Sequence, residues 1–363
     1  MTIALSPTRT ALVDHSLRVL MAGQAASGAF VASPTFATYH YAWLRDGSFV
    51  AEALDRFGET EAAARFHAWV CRTVLKMRPR VERAVAAASG GDVAAMLPTR
   101  FELDGREESG EEDWPNFQLD GYGTWLWSFA QHLRRTRQVA RPHELEAVEL
   151  IARYLDAARD QSCYDCWEEH VEHRHAATVA ACAAGLRAAG DLLQQNAFRD
   201  TAVSLEQILV RDFSRDGAFV KHDGSTAVDA SLLWLALPFG VVAADDPLFL
   251  GTVARVEREL QVPAGGVRRY LGDTFYGGGE WVILTAWLGW AHHTAGREHA
   301  ALECLKWVES TATASLDLPE QVDTHPQSPG HVAEWVDRWG PSATPLLWSH
   351  AMYLTLVDEL GLR

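Results

Sequence analysis

The chain is short of basic residues: 32 Lys and Arg stand against 48 Asp and Glu, a formal net charge of −16. Without a Lys/Arg-rich run, such a surface repels phosphate backbones and anionic headgroups, so nucleic-acid and membrane partners are disfavoured. Cysteine is scarce as well. The five thiols, Cys71, Cys163, Cys166, Cys182 and Cys304, are an odd number spread over 363 residues, which argues against a disulfide framework. Cys163 and Cys166 form a C-x-x-C, but with no second pair and no βαβ context they read as two ordinary reduced cysteines. No span reads as long and apolar enough to cross a bilayer. The opening residues, Met-Thr-Ile-Ala-Leu-Ser-Pro, lack a basic segment followed by an apolar one, so no secretory signal is expected and the expected compartment is the cytoplasm. The 15 His offer no metal-ligand spacing; His173 and His175 read as a solvated approach to a helix. Neither a metal nor a cofactor is expected.

What the chain does contain is apolar side chains, 48% of residues, enough for a large core. They recur at helical spacing, whereas the alternation suited to strands is hard to find. The spacing predicts an all-α protein with twelve helices, near 8–21, 47–57, 60–77, 122–136, 142–158, 176–193, 198–212, 227–237, 247–260, 280–295, 297–312 and 345–360. Ser6-Pro7 suits a helix start, Gly58 and Gly296 suit helix stops, and Pro79 reads as closing a third helix. Length suggests two domains at about 150 residues each. With no Gly/Pro/Ser-rich linker, a single domain over 1–363 is expected instead.

Trp is unusually frequent, 14 against 8 Tyr. Together with Arg and carboxylates it crowds into segments before alternate helices: Tyr39 to Asp46, Trp114 to Gly121, Trp167-Glu168-Glu169-His170 and Arg268-Arg269-Tyr270, with Leu318-Pro319-Glu320-Gln321 ahead of the last. If successive helices run antiparallel around a ring, these segments emerge at one end and form one mouth. Aromatic faces beside Arg and Asp suit a sugar, whose C–H faces meet flat apolar walls and whose hydroxyls meet charged forks. Carboxylates on separate loops, with Glu168, Glu169 and Glu320 best placed, supply the acid and base that glycoside hydrolysis requires. On residues alone, each has a plainer reading: a surface acid pair after a packed Trp, a helix-start Glu after Pro, and Trp residues packing on helices.

Tyr39 to Asp46, Asn116 to Gly123, Trp167-Glu168-Glu169, Arg269-Tyr270 through Tyr276, Gly278-Gly279-Glu280-Trp281 and Leu318 to Gln321 resemble, in order, the glucoamylase-type glycoside hydrolases of family 15. The resemblance implies an (α/α)6 toroid; many relatives add a β-sandwich or a starch-binding module, but 363 residues leave room for neither, so a single catalytic domain without them is expected. The resemblance also implies an inverting exo-hydrolase releasing β-glucose from non-reducing ends of α-glucosides. Carried over by motif, Glu168 corresponds to the general acid, Glu169 to a substrate ligand, and Glu320 to the base that activates water. Arg45 and Asp46 match the pair gripping the terminal glucose, Trp43 an adjacent wall, Arg269 a second hydroxyl ligand, and Trp114 the wall on the leaving-group side. Asp120 and Gly121 read as structural, a helix cap and a close approach.

One departure is chemical. Phe275 stands where the family usually has a Tyr whose hydroxyl fixes the residue matching Tyr39. We therefore expect the Tyr39 hydroxyl to act on the catalytic water or Glu320 and to shape the base side of the pH profile. An unchanged pH dependence in Phe275→Tyr would remove that idea. Phe275 and the loops are most similar to the family's isomaltose-cleaving members, so the α-1,6 linkage of isomaltose ranks first among short oligosaccharide substrates. Maltose-type α-1,4 substrates and trehalose stand behind it. A catalytically inactive sugar-binding protein is the non-enzyme alternative, disfavoured because both carboxylates persist with their flanks. A terpenoid-cyclase-type toroid would need an Asp-rich metal motif, which is missing. Inversion requires the two carboxyls to stand roughly 6.5–9.5 Å apart, with the acid's pKa raised.

Overall fold

A computed structural model describes residues 7–88, 93–108, 114 and 116–363; Ser6, the expected cap of the first helix, lies outside them. The described residues form thirteen α-helices: α1 (Pro7–Ala22), α2 (Leu44–Arg56), α3 (Thr60–Lys76), α4 (Arg78–Ala88), α5 (Asp120–Thr136), α6 (Pro142–Ala158), α7 (Ala176–Leu193), α8 (Asn196–Asp212), α9 (Pro247–Glu259), α10 (Val282–Thr294), α11 (Glu298–Ser310), α12 (Gly330–Trp339) and α13 (Leu347–Glu359). A short 3-10 helix spans Ala230–Leu235.

Helices that are apolar on every side have to be covered on every side. In α10, Val282 to His292 are all buried, and in α13, Leu347 to Val357. These two, with α2, α5, α7 and the 3-10 helix, make an inner ring in which each element packs on the next and α13 returns to α2. The outer helices are apolar along one stripe only. In α8, for example, the buried positions are Phe198, Ala202, Leu205 and Leu209. Around the ring, α1 lies on α13, α3 on α2, α6 and α8 on α7, α9 on the 3-10 helix and α11 on α10. The result is the (α/α)6 barrel.

Its axis is filled. Phe49 of α2 stacks on Trp348 of α13 at 5.4 Å and meets the edge of Trp287 of α10 at 5.1 Å, while Trp234 of the 3-10 helix lies 5.2 Å from Trp287. Such offset and edge contacts are the favoured aromatic geometries, and they make a floor rather than a pore. Where α5 meets α7 the backbones touch: a Cβ on Gly123 would stand 2.4 Å from the Ala181 carbonyl oxygen, and one on Gly185 2.6 Å from the Gly123 oxygen.

Several expectations need correcting. The 227–237 segment is not an α-helix; Asp229 accepts from the Ser231 amide, and the chain winds only as the 3-10 turn that follows. Helices α4 and α12 were not anticipated. Pro79 does not close a helix but lies in the first turn of α4, where its missing N–H costs nothing. Helix α7 does, by length and composition, suffice to cross a membrane, contrary to the sequence reading; 72% of it is buried inside the molecule, between α5 and α8, which accounts for its composition. Gly58 and Gly296 do terminate α2 and α10, at φ of +89° and +71°.

Candidate active site

At one end of the ring, above the aromatic floor, lies a cavity of about 460 Å³. All ten residues singled out in the sequence line it: Tyr39, Trp43, Arg45, Asp46, Trp114, Glu168, Glu169, Arg269, Phe275 and Glu320. Its size is within the usual range for small-molecule sites. Two antiparallel ladders help set its walls. One pairs Trp43 with Arg100, and the other pairs Trp281 with Gln321, which anchors the chain immediately after Glu320.

Glu168 stands on a tight turn built by Asp165, whose Oδ1 accepts from the amides of Trp167 and Glu169 at 2.9 and 3.0 Å. The turn holds Glu168 at φ +69°, a left-handed conformation uncommon for Glu. Burial opposes ionisation of Asp165, but Lys221, with Nζ 3.3 Å away, keeps it below the usual carboxylate range. The Trp43 Nε1–H donates to Glu168 Oε1 at 2.6 Å. Burial pushes the Glu168 carboxyl up to about 7, against Arg45 and the polar hydrogens of Trp43, Trp114 and Gln118, which favour its charge.

Glu320 shares the cavity, and burial pushes it up to about 8, with Asp46 and Glu168 adding to the shift and Tyr39 and Arg269 opposing it; the raised carboxyl is therefore not the acid alone, contrary to expectation, because both are removed from water. Its Oε2 is buried without a hydrogen-bond partner among the described residues. The Tyr39 hydroxyl lies beside Glu320, and burial together with the two glutamates lifts it well above its ordinary range. The ring neighbours of Tyr39 are Phe36 and Trp43, at 4.7 and 5.8 Å.

Arg45 is held on three sides: Nη1 donates to Gln118 Oε1 at 2.9 Å and to Asp120 Oδ2 at 3.2 Å, and Nε lies 3.2 Å from Asp46 Oδ2. Asp120 is therefore not the helix cap that was expected. It is the first residue of α5, and its fully buried carboxylate is spent on Arg45. A Cβ on Gly121 would lie 3.4 Å from the Arg45 amide nitrogen, the close approach foreseen there. Arg269 is clamped by Asp273, Nε to Oδ2 at 2.7 Å and Nη2 to Oδ1 at 2.5 Å, and reaches Glu169 Oε1 at 3.2 Å. Tyr270 donates to the other oxygen of Glu169. Phe275 lies under the Arg269 guanidinium and packs edge-on to Trp335 at 4.9 Å.

Sequence reasoning missed two groups, one lining the cavity and one behind its wall. Trp335, Arg338 and Trp339 come from α12, and the Arg338 guanidinium lies 5.3 and 4.7 Å from the two indole rings. Their i, i+3, i+4 spacing puts them on one helical face, a signal the sequence did carry. Trp339 in turn stacks on Trp114 at 6.1 Å. The second group is support: buried Arg100 sits 3.6 Å over the Trp114 ring and donates to Glu108, which no local motif announces.

No metal-ligating cluster lies in the cavity among the described residues. Two lie elsewhere, Asp55 with His67 and His132, and His173 with His222 and Asp223. The second corrects the sequence reading: His175 is buried rather than solvated, and His173 stacks on His222. Cys163 and Cys166 are free and buried, and burial pushes the Cys163 thiol up to about 12.

Comparison with known proteins agrees with this geometry. The chain is 45% identical, over 97% of its own length and 93% of the relative's, to isomaltose glucohydrolase of Kribbella flavida. A glycosidase structure in complex with glucose superposes with a TM-score of 0.93 at 44% identity, covering 99% of this chain and 100% of that one. The glucoamylase of Saccharomycopsis fibuligera, at 14% identity and a TM-score of 0.76 over 99% of this chain and 96% of that one, shares the fold. The profile of the glycosyl hydrolases of family 15 matches residues 7–358, and with these carboxylates gathered in one cavity the chain belongs to that family and is a glycoside hydrolase.

Proposed function

We propose that the protein is an inverting exo-glucohydrolase acting on short α-glucosides, with isomaltose as its substrate. The observation that carries this reading is the pairing of Glu168 and Glu320 in one aromatic-walled cavity whose floor is closed by Trp348. The substrate name of the Kribbella relative supports the α-1,6 linkage.

In the reaction, the Glu168 carboxyl gives its proton to the glycosidic oxygen as the bond from that oxygen to the anomeric carbon breaks. Water attacks the opposite face of that carbon and yields its proton to Glu320, so the product is β-glucose and a free leaving alcohol. Arg45, Asp46 and Arg269 hold the hydroxyls of the terminal glucose, each already fixed by a buried partner, so little ordering remains to be done on binding. Glu169 completes that cradle, Trp43 walls it, and Trp114 faces the leaving group. A water donating to the unpartnered Oε2 of Glu320 favours its charged form, as a base requires. Phe275 offers no hydroxyl, which leaves that of Tyr39 to Glu320. The five unpaired thiols support a reducing, cytoplasmic workplace.

The test is a rate comparison on isomaltose, maltose and trehalose for the parent and for Glu168→Gln. We expect isomaltose to be cleaved fastest, and the variant to lose about 10²–10⁴-fold in kcat with its fold intact. Equal rates on maltose and isomaltose would remove the α-1,6 assignment, and full activity in Glu168→Gln would remove the acid.

A further inference from the structure

Outside the cavity, the segment that carries Glu168 and Glu169 ends in a run of imidazoles, His170, His173 and His175, facing His222 of the neighbouring turn. We propose that His173, His222 and Asp223 form a site for one borderline dication, zinc or a nitrogen-binding neighbour such as cobalt or nickel, that ties this segment to the 221–228 turn.

One ligand atom from each of the three residues lies within 4.8 Å of the others. The backbone beneath is already fixed. Ala176 N donates to Lys221 O at 3.1 Å, Asp223 N to Arg174 O at 3.1 Å, and His175 pairs with His222 as an antiparallel bridge. Arg174 N also donates to Asp223 Oδ1 at 3.2 Å, orienting that carboxylate. His222 Nδ1 lies 2.8 Å from the Asp223 carbonyl oxygen, which can only accept. Nδ1 therefore carries the proton, and the Nε2 lone pair is left for a ligand. A metal-bound His is held by its other nitrogen in this way. The rings of His173 and His222 stack at 3.7 Å and 13°, and His173 Nδ1 is 3.3 Å from Asp223 Oδ1.

Coordination at about 2.0–2.2 Å requires the rings to tilt so that their nitrogens converge. They have room to do so, since the His173 side chain is 33% exposed and His222 is half-buried rather than buried. Two imidazoles and one carboxylate select zinc and its neighbours over calcium or magnesium, which take oxygen ligands. Solvent completes the set. The buried cluster of Asp55, His67 and His132 is the weaker host: Asp55 already holds His132 Nδ1 at 2.9 Å, and all three side chains are shut from solvent.

A bound ion would fasten the far end of the segment. His173 N bonds to His170 O at 3.2 Å, His175 Nε2 to the same oxygen at 2.9 Å, and His170 is held at φ +56° two residues after Glu168. The near end is pinned by Asp165 and Lys221, the latter adjacent to His222.

The test is titration of the chelator-treated full chain with zinc chloride, followed by calorimetry and by thermal unfolding, with cobalt absorption as a second probe. We expect one zinc per chain at micromolar affinity, a higher Tm with zinc, and a visible cobalt band. His173→Ala should weaken binding by at least about tenfold and abolish the rise in Tm. Asp223→Asn, which keeps an acceptor for the Arg174 amide, should weaken it without metal-independent loss of stability. Absence of a zinc equivalent in the parent, or parental affinity in both variants, would overturn the site.

Discussion

Glu168 and Glu320 reach the cavity from segments about 150 positions apart in sequence, and both are shifted upward for the same reason, removal from water. A carboxyl with a raised pKa makes stability depend on pH with a definite sign. Below the ordinary Glu value of 4.5, folded and unfolded chains both hold the proton, so the full contribution is present. As pH rises, the unfolded chain releases it first, and the fold loses stability until the folded carboxyl ionises near pH 8 for Glu320. Glu320→Gln cannot ionise. It should therefore unfold at the parental temperature at pH 4 and above it at pH 8, by about 1–1.5 °C for each kcal/mol relieved. Thermal unfolding monitored by circular dichroism at the two pH values checks this; an equal Tm at pH 8 would mean that Glu320 is not strained by its burial. At this scale the sequence was legible where chemistry is local. Trp43, Arg45, Asp46, Glu168, Arg269 and Glu320 are all in short motifs and all line the cavity. It was illegible where a partner comes from a distant segment, as with Asp120 on Arg45 or Arg100 beneath Trp114, because neither pairing leaves a trace in local spacing.

Among the elements, α12 is the one whose role least resembles its sequence. None of its residues is fully buried, and Gly330 to Trp339 sit within the long stretch ahead of α13, so they read as connection although Trp335, Arg338 and Trp339 share one helical face. Yet its one apolar face packs on the 275–277 turn and closes the cavity on the side of Trp114. An exposed helix whose cation, Arg338, lies against two indoles among the described residues suits contact with the leaving-group sugar. Arg338→Ala should raise KM for isomaltose by about tenfold, the value of one charge-assisted hydrogen bond, with little change in kcat or Tm. Steady-state kinetics separates the two parameters, and a fall in kcat at constant KM would contradict a role limited to binding. The inner helices were easier to read, since an all-round apolar sequence such as that of α10 has few other places to go. The same holds for α7, which has the length and composition of a membrane span yet is buried inside the molecule, and the short backbone approach at Gly123 and Gly185 shows what its small residues are for. The 3-10 helix at 230–235 reads in sequence as a full helix because its apolar run, Leu232 to Leu235, is the same in either winding.

As a whole, the molecule gathers by topology what the sequence disperses. Helices paired around a ring return every second loop to the same end, so six inner elements bring Tyr39 and Glu320 into one cavity. The ring closure, the filled axis and the acidic balance of −16 fit a site for an uncharged sugar better than one for a polyanion. The central claim is that Glu168 and Glu320 act from opposite faces of the anomeric carbon, one on the leaving oxygen and the other through water. Anomer-resolved proton NMR during the first minutes of isomaltose hydrolysis tests it most directly. The account predicts β-glucose as the first product, with the α-anomer growing in only by mutarotation; α-glucose appearing first would contradict it.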